Sequence, residues 1–286
     1  MTFLNFGEIL FDVFKDYRKL GGAPLNVAAH LSKLGGKGYI ISAIGNDEMG
    51  IEALSAIQSF GLDPSYIKHS KYETGRADII LKGKNADYTF TSPCAWDDIT
   101  VERPLPKEVD AIYFGTLAQR SNTSKSTLDD VLATVKAKHM FFDVNLRKNF
   151  YTDEILKQGI ERSTILKLND EECPIILKAL DFDSIDTLLK KTNLQMVLMT
   201  KGKEGTELHT LGKIFNQGCI DVKVVDTVGA GDSLSAGFLY TLISTGDIEK
   251  ALKIGSLLAD YVVSQEGAIP QYDEKLKENL KRILEL

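Results

Sequence analysis

The residues best suited to chemistry lie in one stretch of the chain, residues 226–232, which reads Asp-Thr-Val-Gly-Ala-Gly-Asp. A β-branched run at 222–225 predicts a short strand before it, and the spacing of Leu234, Phe238 and Leu242 predicts a helix after it. The first N–H groups of a helix lack intrahelical partners and lie at the positive end of the helix dipole. This turn can therefore bind an anion.

Asp232 is the unusual residue of this stretch, because its carboxylate cannot itself bind an anion. It is either a base that takes a proton beside the bound anion, or a residue that only caps the first turn of the helix. Gly229 and Gly231 let a charged ligand approach the backbone closely.

A second stretch with chemical potential, residues 21–31, begins Gly-Gly-Ala-Pro-Leu-Asn. Pro24 suits the first turn of a helix. The two glycines before it either admit a ligand to the backbone or form a plain turn. Further upstream, Asp12 interrupts the apolar run 9–14. Its carboxylate either lies on a strand surface or points into a cleft.

The elements around these stretches alternate between strand-like and helix-like segments, as in 39–44 followed by 51–60. Such alternation predicts a parallel sheet covered by helices. No repeat, linker or low-complexity segment interrupts the pattern, so we expect a single domain over residues 1–286.

Two strand-like runs, 75–81 and 86–90, flank a Lys-Gly-Lys-Asn turn and predict a hairpin with mixed polar and apolar faces. A half-polar hairpin inserted in an α/β chain is a candidate lid, which we expect to comprise residues 9–18 and 72–97. The single tryptophan, Trp96, follows the hairpin. It either stacks on a sugar ring or forms a hydrophobic plug under the hairpin.

Polar residues also alternate at the end of the strand-like run 140–147. While the chain stays extended, Asp143, Asn145 and Arg147 point to one side. Open α/β sheets bind ligands at the carboxyl ends of their strands. We therefore expect these side chains near a ligand.

Composition narrows the class of protein. Apolar residues make up 43% and charged residues 26%, as in soluble globular proteins, and the net charge of -6 argues against a nucleic-acid partner. Three separated cysteines fit a reducing compartment, and no run approaches the ~20 apolar residues of a membrane span, so a cytoplasmic location without a membrane partner is expected. The four histidines lack metal-site spacing. Neither a Walker phosphate-binding motif nor a complete dinucleotide-binding motif occurs.

Residues 21–26 and 226–232 resemble, in order and separation, the two signatures of the ribokinase-like PfkB family of sugar kinases. The resemblance covers essentially the whole chain. It implies an α/β fold with three layers, α/β/α, a mostly parallel central sheet and a small β lid. The stretches most similar to fructokinases are 6–12, 113–121, 142–147 and 166–172.

The resemblance implies a role for each motif residue. Asp232 would be the base that deprotonates the attacking sugar hydroxyl. The backbone N–H groups of Gly229, Ala230 and Gly231 would form the anion hole for the transferred phosphoryl group. The residues expected to contact the sugar are Asp12, Gly22, Asn26, Arg76, Trp96, Asn145 and Arg147.

The same resemblance implies a nucleotide side and ion sites. The residues expected to bind the nucleotide are Asn169, Thr200, Lys201, Gly202, Gly205, Gly229 and Gly231. Asn169 and Glu172 match an Asn-x-x-Glu motif that would organise Mg²⁺ through its waters. The alternative is that Glu172 is an ordinary acidic residue of a first helical turn. The residues that fall where some family members bind a monovalent cation such as K⁺ are Asp226, Val228 and Gly267.

The activity implied is phosphoryl transfer from ATP to a sugar hydroxyl, with fructose as the expected substrate and fructose 6-phosphate as the product. The alternative substrates are ribose, 2-keto-3-deoxygluconate and aminoimidazole riboside. A non-catalytic sugar- or nucleotide-binding protein is the alternative class. The expected ligands are ATP and Mg²⁺, with K⁺ as in some members, and the expected partner is a second copy paired through the lid.

Overall fold

A computed structural model describes residues 1–82 and 85–285. Within these residues the strands are β1 (Thr2–Phe6), β2 (Leu10–Val13), β3 (Arg18–Gly21), β4 (Lys37–Gly45), β5 (Ile67–Ser70), β6 (Gly75–Lys82), β7 (Asn85–Phe90), β8 (Glu108–Gly115), β9 (Lys136–Asp143), β10 (Ile165–Asn169), β11 (Met196–Thr200), β12 (Thr206–Thr210) and β13 (Lys213–Gln217). The helices are α1 (Ala23–Lys33), α2 (Glu48–Ser59), α3 (Asn122–Thr134), α4 (Asp153–Glu161), α5 (Glu172–Leu180), α6 (Ile185–Lys191), α7 (Ala230–Thr245), α8 (Ile248–Val263) and α9 (Glu274–Glu285).

The main sheet has the strand order β13-β12-β11-β10-β9-β8-β1-β4-β5. Neighbours from β11 to β5 are parallel, whereas β12 and β13 are antiparallel at one edge. The mostly parallel sheet predicted from the sequence is therefore confirmed. The carboxyl ends of parallel strands meet at the same edge, so the segments that follow β1, β8, β9, β10 and β11 converge there.

Helices cover both faces of the main sheet, because strand side chains alternate between the faces. In β1, Phe3 packs with α7 and α8. Leu4 and Phe6 pack on the other face with residues of α3 to α6. The result is the expected three-layer α/β/α fold. No helix within residues 1–82 and 85–285 is long and apolar enough to cross a bilayer.

Helix α7 is buried along most of its length, since the sheet lies on one side of it and α8 on another. Gly237 of α7 faces Gly255 of α8, and a Cβ at Gly237 would lie 3.0 Å from the Gly255 Cα. This close crossing fixes α7 over the sheet. The first turn of α7 is thereby held at the edge where the parallel strands end.

A second, four-stranded sheet has the order β3-β2-β6-β7, and we call it the lid sheet. β2 is antiparallel to β3 and parallel to β6, and β6 pairs with β7 as a hairpin. The lid sheet gains β3, which the expected boundaries left out, whereas Ala95–Asp98 forms a 3₁₀ turn outside it. The predicted hairpin turn includes residues 83–84, which lie outside the described residues.

The strand predicted at residues 222–225 is wrong. The chain is irregular from 218 to 229, and Val224 and Val225 are 55% and 50% exposed. β-Branched residues favour strands when they pack on a pleated surface. Here the Val225 N–H donates instead to the Val263 carbonyl oxygen, over 2.8 Å, at the end of α8. The helix predicted after this segment is confirmed as α7.

Candidate active site

Asp232 lies in the first turn of α7, where Gly229 and not Asp232 is the N-cap residue. Two other aspartates show what capping looks like in this chain: Asp47 accepts from the Gly50 N–H and Asp247 from the Lys250 N–H, in α2 and α8. Within the described residues, the carboxylate of Asp232 accepts no such bond from its helix backbone. The structure therefore favours a base over a cap.

The side chain of Asp232 is held by α1. Asn26 Nδ2 donates to Asp232 Oδ2 over 2.7 Å. Gly22, with φ 111°, is the N-cap of α1, and a Cβ there would lie 2.3 Å from the Glu8 carbonyl oxygen. Glycine is therefore required where the chain passes from the lid sheet into α1. The two signature stretches of the sequence meet at this hydrogen bond.

The surroundings of Asp232 make it a competent proton acceptor. Burial raises the pKa of Asp232 to about 6, against the lowering effects of Lys167 and of the Asn26 hydrogen bond. Asp143 raises it further and Arg147 lowers it. A carboxyl group with this pKa is ionised at neutral pH and is more basic than an ordinary aspartate.

The turn before α7 presents backbone N–H groups. Gly229 has φ 80°, and a Cβ there would lie 2.6 Å from the Ala268 Cβ, so the turn packs directly on that residue. The Ala230 N–H makes a long contact of 3.4 Å to the Thr227 carbonyl oxygen. The N–H groups at the start of α7 have no intrahelical acceptor and point out of the helix end. These are the donors that the predicted anion hole requires.

A buried ammonium group that the sequence analysis missed lies behind this turn. Lys167 Nζ contacts Asp143 Oδ1 and Oδ2 at 3.0 and 2.9 Å, and the Tyr113 hydroxyl donates to Asp143 Oδ2 over 2.8 Å. Lys167 is 9% exposed and Asp143 is fully buried. The signal was present in the sequence, because a lysine within the apolar run of β10 needs a buried partner.

Glu8, which follows β1, is a second residue that the sequence analysis missed. It is 4% exposed, and burial raises the pKa of Glu8 to about 7, with a further rise from the charge of Asp232. Glu8 lines a small cavity together with Asp143 and Asn145. The sequence could have indicated Glu8, because a carboxylate between two buried apolar runs needs a specific environment.

Contrary to the sequence prediction, the segment after β9 is not extended through Arg147. β9 stops at Asp143, and the chain turns at Asn145, whose φ is 38°. Asn145 and Arg147 are therefore brought to the site by a turn and not by strand alternation. Burial raises the pKa of Asp12 while Arg147 lowers it, so the charge of Arg147 reaches the lid sheet. Asp12 is half-buried, and its expected contact with the sugar stays a prediction.

Arg76 lies on the face of the lid sheet opposite Asp12. In the lid sheet Arg76 pairs in register with Phe11, whereas Asp12 pairs with Ala77. Successive residues of a strand point to opposite faces. Arg76 is exposed and forms an ion pair of 3.4 Å with Asp78. The expected contact of Arg76 with the sugar stays a prediction.

Trp96 is fully buried, so the expected stacking on a sugar ring is also wrong in this arrangement. The Arg120 guanidinium carbon lies 4.2 Å from the centroid of the ring, and the Phe90 ring packs at 6.1 Å. A Cβ at Gly75 would lie 3.0 Å from Trp96 Cδ1. Trp96 is thus the hydrophobic plug under the hairpin, which was the alternative explanation.

The loop after β11 lies at the same sheet edge as the base. Thr200 ends β11, and Gly202 and Gly205 have φ values of 53° and 98°. A Cβ at Gly205 would lie 2.2 Å from a carbonyl oxygen at the end of β13, so the loop packs against the segment that leads to α7. Lys201 Nζ contacts Glu207 Oε1 at 2.9 Å, and the expected contact of Lys201 with the nucleotide stays a prediction.

Asn169 and Glu172 bind each other's backbone. Asn169 Oδ1 accepts from the Glu172 N–H, and the two Glu172 carboxylate oxygens accept from the N–H groups of Asn169 and Leu146. Glu172 is the first residue of α5, which agrees with the alternative explanation that it is an acidic residue of a first helical turn. Within residues 1–82 and 85–285 no cluster of three metal-binding side chains occurs.

Asp226 is surrounded by hydrogen-bond donors. Asp226 Oδ2 accepts from Lys19 Nζ at 3.1 Å and from the Gly267 N–H at 3.2 Å, and Oδ1 accepts from the Val228 N–H at 3.1 Å. Lys19 belongs to β3, so this ion pair joins the lid sheet to the turn before α7. The three donors leave part of the acceptor capacity of the carboxylate unused, since an ionised carboxylate has about four lone-pair sites. The monovalent-cation site expected at Asp226, Val228 and Gly267 stays a prediction.

A three-layer α/β/α fold, with a lid sheet and a carboxylate beside helix-start donors, defines a ribokinase-like sugar kinase. The model of the pfkB family carbohydrate kinases matches residues 5–275, and the chain belongs to this family. It is therefore an ATP-dependent carbohydrate kinase.

Individual relatives extend this assignment. The chain is 28% identical to the fructokinase of Escherichia coli over 269 residues, which cover 87% of each protein. It superposes with a TM-score of 0.87 on the structure of an uncharacterized sugar kinase from Pyrococcus horikoshii in complex with ATP, at 26% identity over 99% of this chain and 100% of that one. An aminoimidazole riboside kinase from Salmonella enterica shares the fold, with a TM-score of 0.84 and 19% identity over 99% and 100%.

Proposed function

We propose that the chain is a fructokinase that transfers the γ-phosphoryl group of ATP to the primary hydroxyl of D-fructose, with fructose 6-phosphate and ADP as products. The observation that carries the proposal is the 2.7 Å hydrogen bond from Asn26 to Asp232. It joins the stretch that resembles a sugar-binding signature to the residue placed as the base. The likeness to the fructokinase of Escherichia coli supports fructose over the alternative sugars.

In the proposed reaction Asp232 accepts the proton of the sugar hydroxyl as its oxygen forms a bond to the γ-phosphorus. The bond between that phosphorus and the β,γ-bridging oxygen breaks, and ADP leaves. Phosphoryl transfer depends on placement and charge stabilisation. The N–H groups of Gly229, Ala230 and Gly231 supply donors for the phosphoryl oxygens from a rigid turn.

The sugar would lie between α1, the lid sheet and the turn after β9. A carboxylate and an amide suit a ring of hydroxyls, because each group can make two hydrogen bonds to neighbouring hydroxyls. The residues proposed to contact the sugar are Asp12, Gly22, Asn26, Asn145 and Arg147. Arg76 of the lid sheet is also proposed to contact the sugar, whereas Trp96 is left out because it is fully buried.

The nucleotide would lie along the loop after β11 and the turn before α7. The residues proposed to line its site are Asn169, Thr200, Lys201, Gly202, Gly205, Gly229 and Gly231. Mg²⁺ would neutralise charge on the phosphates, and Glu172 would orient it through water. Glu172 also fastens the backbone of Asn169 and Leu146, so its loss would disturb the site in two ways.

A sugar-panel kinase assay tests the proposal. ADP release from ATP is followed with D-fructose, ribose, 2-keto-3-deoxygluconate and aminoimidazole riboside. We expect kcat/KM to be highest for fructose by at least about 10-fold, a difference of about 1.4 kcal/mol in transition-state binding. A different preferred sugar would make the fructose assignment wrong and leave the kinase assignment intact. If no sugar stimulates ADP release, the result would favour the alternative hypothesis of a non-catalytic sugar- or nucleotide-binding protein.

The role of Asp232 is tested with a matched pair of variants. Asp232→Asn should fold and bind ATP but lose turnover by about 10²–10⁴-fold, the usual contribution of a general base. Asp247→Asn changes another helix-start aspartate, one that caps α8, and should keep its turnover. Similar rates in both variants would remove Asp232 from the role of base.

A further inference from the structure

Lys167 lies directly opposite Asp143 in the register of β9 and β10, beneath the first turn of α7. A Cβ at Gly231 would lie 2.9 Å from Lys167 Nζ and 3.5 Å from its Cε. The ammonium group therefore contacts the start of α7 at Gly231, where a residue with a side chain would collide with it. Within 4 Å of that Cβ position, the charged group is the ammonium of Lys167.

We propose that Lys167 is a positioning residue, whose buried ammonium, fixed by Asp143 and Tyr113, supports Asp232 and the first turn of α7 from behind. The inference rests on the proposed function only in taking Asp232 as the base. Lys167 itself is placed against neither the sugar nor the transferred phosphoryl group.

The cost of burying this charge shows that the arrangement is specific. A buried ammonium is strongly unfavourable unless it is paired and its partner is fully hydrogen-bonded. Asp143 supplies both carboxylate oxygens to Lys167, and the Tyr113 hydroxyl completes the hydrogen bonding of Asp143. The pair is neutral as a whole, so its two members act on Asp232 in opposite directions.

Several groups surround Asp232 and set its affinity for a proton. They approach from α1, from β10, from β9 and the turn after it, and from the end of β1, and they are Asn26, Lys167, Asp143, Arg147 and Glu8. Lys167 lowers the pKa of Asp232 and Asp143 raises it, with the larger effect from Lys167. Loss of Lys167 should therefore raise the pKa of Asp232, and loss of Asp143 should lower it. A residue that served only for packing would not produce shifts in opposite directions.

The experiment titrates Asp232 directly in the full-length protein without substrate. The protein is labelled with ¹³C at aspartate carboxyl groups, and the Asp232 resonance is assigned by its absence in Asp232→Asn. Lys167→Gln should move the titration midpoint up, by about one pH unit, and Asp143→Asn should move it down. The acid limb of kcat/KM should move in the same directions for whichever sugar the enzyme prefers.

The double variant Lys167→Gln/Asp143→Asn replaces the ion pair by a neutral amide pair and keeps the test decisive if a single variant does not fold. Its midpoint should rise by less than that of Lys167→Gln, because the raising effect of Asp143 is lost together with the larger lowering effect of Lys167. Unchanged midpoints, or shifts of both single variants in one direction, would overturn the proposal. Since the titration needs no substrate, its result is separate from the outcome of the sugar panel.

Discussion

Asn26 Nδ2 donates to Asp232 Oδ2 over 2.7 Å, and this bond links residues 206 positions apart in the sequence. The donor sits one turn into α1 and the acceptor in the first turn of α7, so two helix starts face each other across the strand ends. The bond orients the carboxylate before a substrate arrives. It also lowers the pKa of Asp232 against the burial that raises it.

Asn26→Ala should therefore change the pH dependence as well as sugar binding. Loss of the donor leaves the ionised carboxylate less stabilised, so the acid limb of kcat/KM moves to higher pH. Asn26→Asp should move it further, because it adds a like charge beside Asp232. The pH–rate profiles of the three proteins check the order. An acid limb that stays in place in both variants would show that this bond does not act on the base.

Asp232 should lower the free energy of unfolding at pH values at which its carboxyl group is ionised. Its folded pKa of about 6 lies above the ordinary value, so the folded state holds the proton more tightly, and stability falls as pH rises from about 4 to 6. Asp232→Asn removes this penalty. Asp232 is only half-buried by exposed area, so solvent screens part of the penalty. We expect the variant to be more stable than the wild type by about 2 kcal/mol at pH 7.5.

Urea unfolding at pH 7.5 and pH 4 measures this difference. At pH 4 the wild-type carboxyl group is protonated in the folded state, so the two proteins should be nearly equal in stability. A stability difference that is the same at both pH values would contradict the buried-carboxylate explanation.

Gly229 and Gly246 lie at the two ends of α7, with φ values of 80° and 69°. A Cβ at Gly229 would lie 2.6 Å from the Ala268 Cβ, whereas a Cβ at Gly246 meets nothing within 4 Å among the described residues. Gly246→Ala should cost about 1–2 kcal/mol of backbone strain and leave kcat unchanged. Gly229→Ala should cost more and lose most of its activity, because the anion-hole turn must move. Thermal unfolding and steady-state kinetics separate the two effects.

The sequence predicted a parallel sheet covered by helices, and a helix after the 226–232 turn, because both depend on local patterns. Glycine turns, helix starts and apolar runs are encoded over a few residues, and parallel strands bring their carboxyl ends together. The position of Asp232 in the first turn of α7 followed from this.

What the sequence could not predict depends on contacts between distant segments. The β-branched run at 222–225 favours a strand locally, but it lies along α8 with no strand beside it in the described part of the chain. The face of the lid sheet that carries Arg76 is set by its register with Phe11, which spacing along the chain does not give. The partner of Lys167 likewise depends on which strand becomes the neighbour of β10.

Lys19 Nζ lies 3.1 Å from Asp226 Oδ2 and places a positive charge beside the turn that starts α7. We expect this ammonium group to do what a bound monovalent cation would do there, so wild-type activity should be equal in NaCl, KCl and choline chloride at constant ionic strength. Lys19→Met should lower kcat/KM a few-fold, as expected for a partly exposed ion pair, and its activity should rise selectively in KCl.

The control is Lys15→Met, which removes the same charge from an exposed position between β2 and β3. It should match the wild type in all three salts, since the loss of one exposed charge changes the field at Asp226 little at this ionic strength. Strong activation of the wild type by K⁺ would show that a cation binds beside Asp226 despite Lys19. Equal behaviour of the two lysine variants would show that the link between the lid sheet and Asp226 does not affect the reaction.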